Sequence, residues 1–427
     1  MGMLETRKFD KYLRFPLKFA DRGTRGFNFI IHKVQEKLAG WQARLLSLAG
    51  RRTLIKSSSG AIPDYVMQGA LLPSKVCKEI DRANRNFLWG STPEKRKMHL
   101  VNWDTVTRPK DHVVLGIFET RPRNLALIAK LNWKLLSEDH SLWAQVLKAK
   151  YLSNSTNRNP WTSKGSCSHT WTTCKAAKSL LDSGIRKVIT SNASTSFWFD
   201  NWTFHCPLRA QLIGPLNNGE DNQFVSQAID TYGNWNLQLS FDLPDNILKL
   251  IQAIPTNLAS QGGELIAWAF TNDGEFYLQT AYNAAKGLNT LNPNTPSLTW
   301  IWKLRVPPKL VLFIWLCSYN SIPVKEVLGS RGLSLDQHCS ICKSQTESIS
   351  HMLRECPYYV SFWNWLSLPT GLYNSFNLPL SDWLHDNGSS ILPSRHHDIP
   401  WSTLFLFSLW SLWTNRNSAT YQAKPPN

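Results

Sequence analysis

The sequence predicts a mainly α chain, α+β overall, with helical regions toward both ends and a small β-containing region between them. Three observations carry this. Apolar residues recur at three- and four-residue steps through the first 150 residues and again after residue 280. Proline, serine and glycine stand where those stretches would begin and end. Between them the periodicity fades into short aromatic alternations beside Asn, Asp and Gly.

The first region, residues 1–151, is read as helical and basic. Ile30, Val34, Leu38, Trp41 and Leu45 fall on one face of a helix, with Lys33, Lys37 and Arg44 together on another. Gly40 weakens its middle, so two shorter helices are an alternative. A second helix is expected after Ser47, carrying Arg51, Arg52 and Lys56. A third runs from about Pro73, suited to a first turn, to Trp89 before Gly90. A loop with Lys95, Arg96 and Lys97 follows, then helices over 124–136 and 142–151. Charge is concentrated here: residues 1–160 hold 29 Lys and Arg against 13 Asp and Glu, whereas residues 161–427 hold 18 against 17. A surface this positive attracts phosphate backbones through counterion release, without reading base sequence. RNA or DNA is therefore the expected partner, with Lys33, Lys37, Arg44, Arg51, Arg52, Lys56, Lys95, Arg96 and Lys97 as candidate contacts; an unliganded, solvated basic face is the alternative.

Residues 152–264 open on Ser, Asn, Thr and Pro and read as a connecting region with short strands. The stretch Ser196-Phe197-Trp198-Phe199-Asp200 resembles a short strand ending in a turn. Trp268 and Phe270, then Phe276 and Leu278, suggest a hairpin around Asn272-Asp273-Gly274, where Asp-Gly is good turn chemistry. The chain is expected to turn helical again from Thr280, with Pro307-Pro308 opening an apolar helix through Cys317.

The strongest chemical signal is Cys339-Ser340-Ile341-Cys342 followed by His351 and Cys356, a C-x2-C-x8-H-x4-C word. Two thiolates two residues apart can face one ion from a tight loop, and a tetrahedral ion then needs two further donors nearby. His351 and Cys356 supply them. Cys356 precedes Pro357, which pushes it out of the helical region and lets the chain bend back to the ion. Four protein ligands leave no open position, so one structural Zn2+ is expected. His338, beside Cys339, is an alternative nitrogen donor, and buried unmetallated cysteines are the plain reading. The other cysteines, Cys77, Cys167, Cys174, Cys206 and Cys317, are scattered singly.

Composition sets the remaining bounds. With 427 residues, 42% hydrophobic content and 20 tryptophans, the chain has ample material for packed cores. The first residues lack the apolar stretch of a secretory signal, and the longest apolar runs, 310–317 and 404–413, fall short of the roughly 18 residues a membrane span requires. An intracellular protein, nuclear or cytoplasmic, is expected, with no membrane partner. There is no G-x-S-x-G, no P-loop and no H-E-x-x-H, and no small-molecule substrate is expected. His396-His397-Asp398 lies in a Ser/Pro loop and reads as solvated. The tryptophans around the Cys/His word, Trp300, Trp302, Trp315, Trp363 and Trp365, have spacings that suit a core, although Trp can also stack on bases. A protein partner docking on this Trp-rich region is the competing interaction.

The order of short words along the chain resembles the downstream part of plant LINE-type (non-LTR) retrotransposon reverse transcriptases. The words include Lys11-Tyr12-Leu13-Arg14-Phe15-Pro16-Leu17, Leu38-Ala39-Gly40-Trp41, Phe87-Leu88-Trp89-Gly90, Val101-Asn102-Trp103, Trp300-Ile301-Trp302 and the Cys/His block. Residues 265–370 are similar to the reverse transcriptase zinc-binding domain, whose ligands would fall on Cys339, Cys342, His351 and Cys356; residues 371–427 would be a helical extension. The resemblance implies that residues 1–151 are thumb-like and that the chain starts just past the polymerase palm. No Asp-Asp pair occurs in the sequence, and paired metal-binding aspartates are what a palm needs. Ribonuclease H, which in the family follows the region ending near Arg416, would lie beyond this sequence. Arg14 and Val113-Val114 stand where the family usually has glycine, which implies relaxed constraint. The expectation is a non-catalytic zinc protein, or an inert element remnant.

Overall fold

The computed structural model describes residues 11–12, 15–16, 23–40, 45–92, 94–108, 115–137, 141–152, 167–189, 195–203, 206–256, 265–288, 298–395 and 399–422. Arg14, Arg44, Val113-Val114 and His396-His397-Asp398 lie outside them. Among the described residues the chain is mainly helical, with two antiparallel pairs of short strands: β1 (Lys11–Tyr12) with β2 (Phe15–Pro16), and β3 (Ile185–Val188) with β4 (Leu265–Trp268).

Local punctuation explains most helix ends. α1 (Asn28–Ala39) stops before Gly40. α2 (Leu48–Leu54) begins where the Ser47 hydroxyl accepts a hydrogen bond from Gly50 N–H, and it runs into one wide turn over Ile55–Ser59. After α3 (Ala61–Met67), α4 (Ser74–Trp89) ends at Gly90, whose φ of 74° any side chain would strain. Arg51 also packs against this glycine so closely that a Cβ would lie 2.3 Å from its guanidinium. The short α5 (Trp103–Val106) is capped by Asn102. Then come α6 (Thr120–Leu136), α7 (Leu142–Tyr151), α8 (His169–Ala176), α9 (Lys178–Gly184), α10 (Asp245–Gln252) and α11 (Leu278–Ala285). The last part holds α12 (Pro308–Ser318), α13 (Lys325–Ser330), α14 (Pro357–Leu366), α15 (Leu380–Gly388) and α16 (Trp401–Tyr421).

Contacts gather these elements into two compact units, each built from separated stretches of chain. The first comprises Met1–Phe27, Pro63–Lys78 and Thr120–Asn292. Within it α6 is central and packs on α8, α9 and α11. Asn124 of α6 is fully buried: its Oδ1 accepts from Leu72 N–H at 2.8 Å, and its Nδ2 donates to the carbonyls of Met67 and Ala70 at 3.0 Å each. These bonds satisfy the irregular backbone between α3 and α4, which would otherwise bury unpaired groups. Asn124→Ala is expected to lower stability by about 2–4 kcal/mol. Urea unfolding of the full chain measures this, and an unchanged midpoint would refute the role.

The β elements differ from expectation in their partners. Trp268 does not start a local hairpin; β4 pairs with β3, setting Ile185 opposite Trp268 and Val188 opposite Leu265. The turn at residues 272–274 does form, with Trp268 N–H donating to Gly274 O and Asp273 accepting from Glu275 N–H and Tyr277 Oη. The segment after it enters α11 instead of returning as a strand. The Trp268 ring is buried against Phe276, and its indole N–H donates to Thr280 Oγ1. Gly184 leaves room for it, since a Cβ there would sit 2.3 Å from the ring. Residues 196–200 are likewise a turn and not a strand, with a single bridge from Ser196 to Phe224. The Asp200 carboxylate closes the turn by accepting from Ser196 N–H at 2.7 Å. Phe197, Trp198 and Trp202 all bury in one small core with Leu208, Val225 and Ile251, so the aromatics gather on one side where a strand would alternate them.

The second unit comprises Asn28–Ile62, Glu79–Glu119 and Pro293–Asn427. Its core mixes residues far apart in sequence: Ile55, Leu88, Trp103 and Leu115 from the basic part, and Trp315, Trp363, Trp383 and Phe405 from the last part. α12 is buried almost all round, from Leu310 to Cys317. Arg52 bridges the two parts, donating from Nε to Leu115 O at 2.6 Å while its guanidinium lies over the Trp302 ring. Arg331 does the same from α13's end, donating to the carbonyls of His99 and Leu100. Among the described residues no helix is long and apolar enough to cross a membrane.

Candidate metal centre and basic face

The Cys/His word folds into a knuckle on this second unit. Cys339 N–H donates to Gln345 O at 2.7 Å and Lys343 N–H to Cys339 O at 2.9 Å, closing a tight loop in which Lys343 takes a φ of 58°. The loop directs polar hydrogens at sulfur: Ile341 N–H points to Cys339 Sγ and Ser344 Oγ–H to Cys342 Sγ. His351 starts a wide turn through Glu355, and the next residue, Cys356, has left the helical region with ψ 127°, capping α14 with Pro357 at its first position. That bend returns its sulfur to the loop.

The donor atoms of Cys339, Cys342, His351 and Cys356 all lie within 4.8 Å of one another. His351 presents Nε2, which is 3.4 Å from Cys342 Sγ. His338 turns away and meets Asp336 Oδ1 at 2.6 Å. Three sulfurs and one imidazole nitrogen, gathered closely and mostly buried, are the donor set that suits tetrahedral zinc, and nothing in them favours a hard, oxygen-preferring ion. Burial would raise the Cys342 thiol, but hydrogen bonds from the Ser344 hydroxyl and backbone, from Gln345 backbone and from the His351 ring bring it down to about 6. Burial dominates at the other two sulfurs: Cys339 is raised, and Cys356 is pushed up to about 12, with the neighbouring thiols adding to it. One thiolate is thus ready near neutral pH, and the other two would give up protons to the metal.

A second layer supports the knuckle. Glu347, between Cys342 and His351, is wholly buried; it accepts from Lys325 N–H at 2.9 Å and from Arg416 Nε at 2.8 Å, with a further bond from Arg416 Nη2. Arg416 is itself buried on α16, beside Trp413 and Tyr421. Neither residue stood out in the sequence, because the pair is separated by 69 residues. The tryptophans mostly go inward: Trp300, Trp315 and Trp363 are buried, whereas Trp365 is 70% exposed.

The basic residues divide by environment. Lys37, Lys56, Lys95, Arg96 and Lys97 are exposed, and Lys33 is half-buried with its amine near the Phe29 ring. Arg51 and Arg52 turn inward, onto Gly90 and onto Trp302 and Leu115 respectively. The 91–97 loop is stapled by its own serine and threonine, with Lys95 N–H donating to Thr92 Oγ1 and Lys97 N–H to Ser91 Oγ, each at 3.0 Å. Arg82 and Arg85, three residues apart on α4 and so neighbours on its surface, line one cavity with Arg96 and Lys97.

Residues 276–363 match the family described as zinc-binding in reverse transcriptase. The segment is a reverse transcriptase zinc-binding domain. All four donors of the knuckle fall inside it, so the spacing, the geometry and the family agree on one zinc ion. Over 396 residues, 91% of its length, the chain is 32% identical to an Arabidopsis thaliana protein whose name gives it as a candidate ribonuclease H protein. The chain spans 63% of that relative's length. It is also 29% identical over 149 residues to an uncharacterized mitochondrial protein of Arabidopsis thaliana, which covers 33% of this chain and 92% of that one. The zinc-binding segment and these relatives agree with the likeness to retrotransposon-type reverse transcriptase regions read from the sequence.

Proposed function

We propose that the chain is a non-catalytic, reverse-transcriptase-derived protein that binds nucleic-acid backbones without strong sequence preference, on a fold held by structural zinc. The observation that carries this reading is the union of the basic helices with the zinc knuckle in one hydrophobic core. The candidate backbone contacts singled out from the sequence belong to the same unit as the zinc knuckle, as a sequence-tolerant phosphate grip built on that unit requires. Lys33, Lys37, Arg44, Lys56, Lys95, Arg96 and Lys97 are the proposed backbone contacts; Arg51 and Arg52 would act by setting the orientation of α2. The lack of any Asp-Asp pair in the sequence argues against polymerase chemistry.

Salt decides the matter. Affinity for a random-sequence oligonucleotide should fall by about tenfold or more between 50 and 200 mM salt, and similarly for unrelated sequences. Binding that ignores salt would defeat the reading, and magnesium-dependent polymerisation or nuclease activity in highly purified protein would replace it. One observation favours a second reading as a protein-interaction module: Trp365, just past the zinc-binding segment and beside Phe362, is 70% exposed. Loss of a protein partner on Trp365→Ala, with nucleic-acid binding unchanged, would select it.

A further inference from the structure

Between α1, the last turns of α4 and the 91–99 loop lies a cavity of about 790 Å³ within the second unit. Arg82, Arg85, Arg96 and Lys97 line it, no carboxylate does among the described residues, and Phe87 supplies an apolar wall. None of the four cations is held in an ion pair among the described residues. Arg85 is half-buried at the cavity wall, whereas Arg82, Arg96 and Lys97 are exposed. His99, at the edge, is held below its ordinary range by burial first and then by Arg85 and Arg96, which reports how positive the cavity is.

The shape narrows the ligand. The phosphates of a duplex lie on convex rails and would touch exposed rim groups such as Arg96 and Lys97, leaving the half-buried wall of Arg85 and Phe87 untouched. A splayed nucleotide or a strand end can enter, and its base has an aromatic wall to lie on. The volume is ample for one nucleotide. We propose that this cavity takes one phosphorylated nucleotide of a single-stranded nucleic acid end-on, with its phosphate among Arg82, Arg85, Arg96 and Lys97 and its base against Phe87. The proposal rests on the nucleic-acid reading above and adds strand form and seat.

The test uses the full chain, with fluorescence anisotropy of a 5′-phosphorylated single strand and of the matching blunt duplex at low salt. Arg85→Gln with Arg96→Gln should weaken single-strand binding about tenfold and duplex binding less than about threefold. Lys130→Gln with Lys249→Gln removes the same charge from exposed positions outside the cavity and should leave single-strand binding within about twofold. Adenosine monophosphate at millimolar concentration should compete, and adenosine should not. The exposed Arg96→Gln alone, with an unchanged melt, should move single-strand affinity in the same direction if the double variant folds poorly. Equal losses in the cavity and control variants, parallel losses for single strand and duplex, or no competition by the monophosphate would each overturn the proposal. If the wild type binds neither strand form, the broader reading falls. Calorimetry with adenosine monophosphate then judges the cavity alone: heat lost in the double variant supports the seat, and no heat in the wild type refutes it.

Discussion

Replacing Cys342 by serine is expected to abolish zinc binding and to remove the cooperative unfolding of the second unit. Wild-type protein should carry one equivalent of zinc, and the variant none. The loss should amount to several kcal/mol, below the roughly 10–16 kcal/mol apparent binding free energy of isolated zinc-finger peptides, because here the knuckle also leans on a large apolar core. Cys339 and Cys356 are themselves members of that core with Trp315, Trp363 and Phe405, so the damage should spread beyond the loop. Chelation should reproduce the effect in the wild type and leave the serine variant unchanged. The pH dependence has a definite sign. Cys342, at about 6, is already a thiolate at pH 7 to 8, whereas Cys339 is raised and Cys356 lies at about 12, so two protons must leave as zinc binds. The logarithm of zinc affinity should therefore rise by about two per pH unit across that window and fall steeply on acidification. A wild-type protein that purifies without zinc and melts like the variant would show that the site does not work as a metal centre.

What was legible in the sequence was local. The four zinc donors lie within eighteen residues, and Pro357 marks the bend that Cys356 needs. Ser47, Gly90 and Pro308 mark helix ends by their own hydrogen-bonding or φ preferences, and those ends stand where the residues put them. Partnerships over long stretches were not legible. β4 carries good strand residues, but nothing near it in sequence names β3 as its partner, and the nearby Asp-Gly turn pointed to a local hairpin instead. The aromatic segment 197–202 has strand composition, yet burial of Phe197, Trp198 and Trp202 in one small core favours a turn, an example of packing overriding propensity. Most consequential, the sequence shows a basic first third and a distant zinc domain as separate features. Only folding reveals that Ile55, Leu88 and Trp103 complete the core under the knuckle.

The buried pair Glu347–Arg416 yields the second large effect. Arg416→Met is expected to destabilise the protein by about 3–5 kcal/mol, since it strands a carboxylate that has no water and only the Lys325 N–H left to answer it. The same change should weaken zinc binding. Glu347 is fastened through its backbone as well, donating from N–H to Gln337 O and accepting from Glu326 N–H, so it ties the segment leading into Cys339 to the start of α13. When its carboxylate loses Arg416, the segment joining Cys342 to His351 loses its fixed geometry, and the donors must be ordered anew as the metal binds. Pairing Arg416→Met with Glu347→Leu should recover much of the stability, because two apolar groups of similar size avoid the desolvation that a lone charge suffers. Recovery of zinc affinity should be smaller, because the Lys325 N–H anchor is lost in the double variant. Thermal melts and competitive zinc titrations on the wild type, both single variants and the double variant form a cycle that separates the two effects. An Arg416→Met protein within about 1 kcal/mol of wild type would mean that the pair is bystander packing, and the C-terminal helix would then be held by its apolar core residues, Trp401, Phe405, Leu406, Leu409 and Leu412.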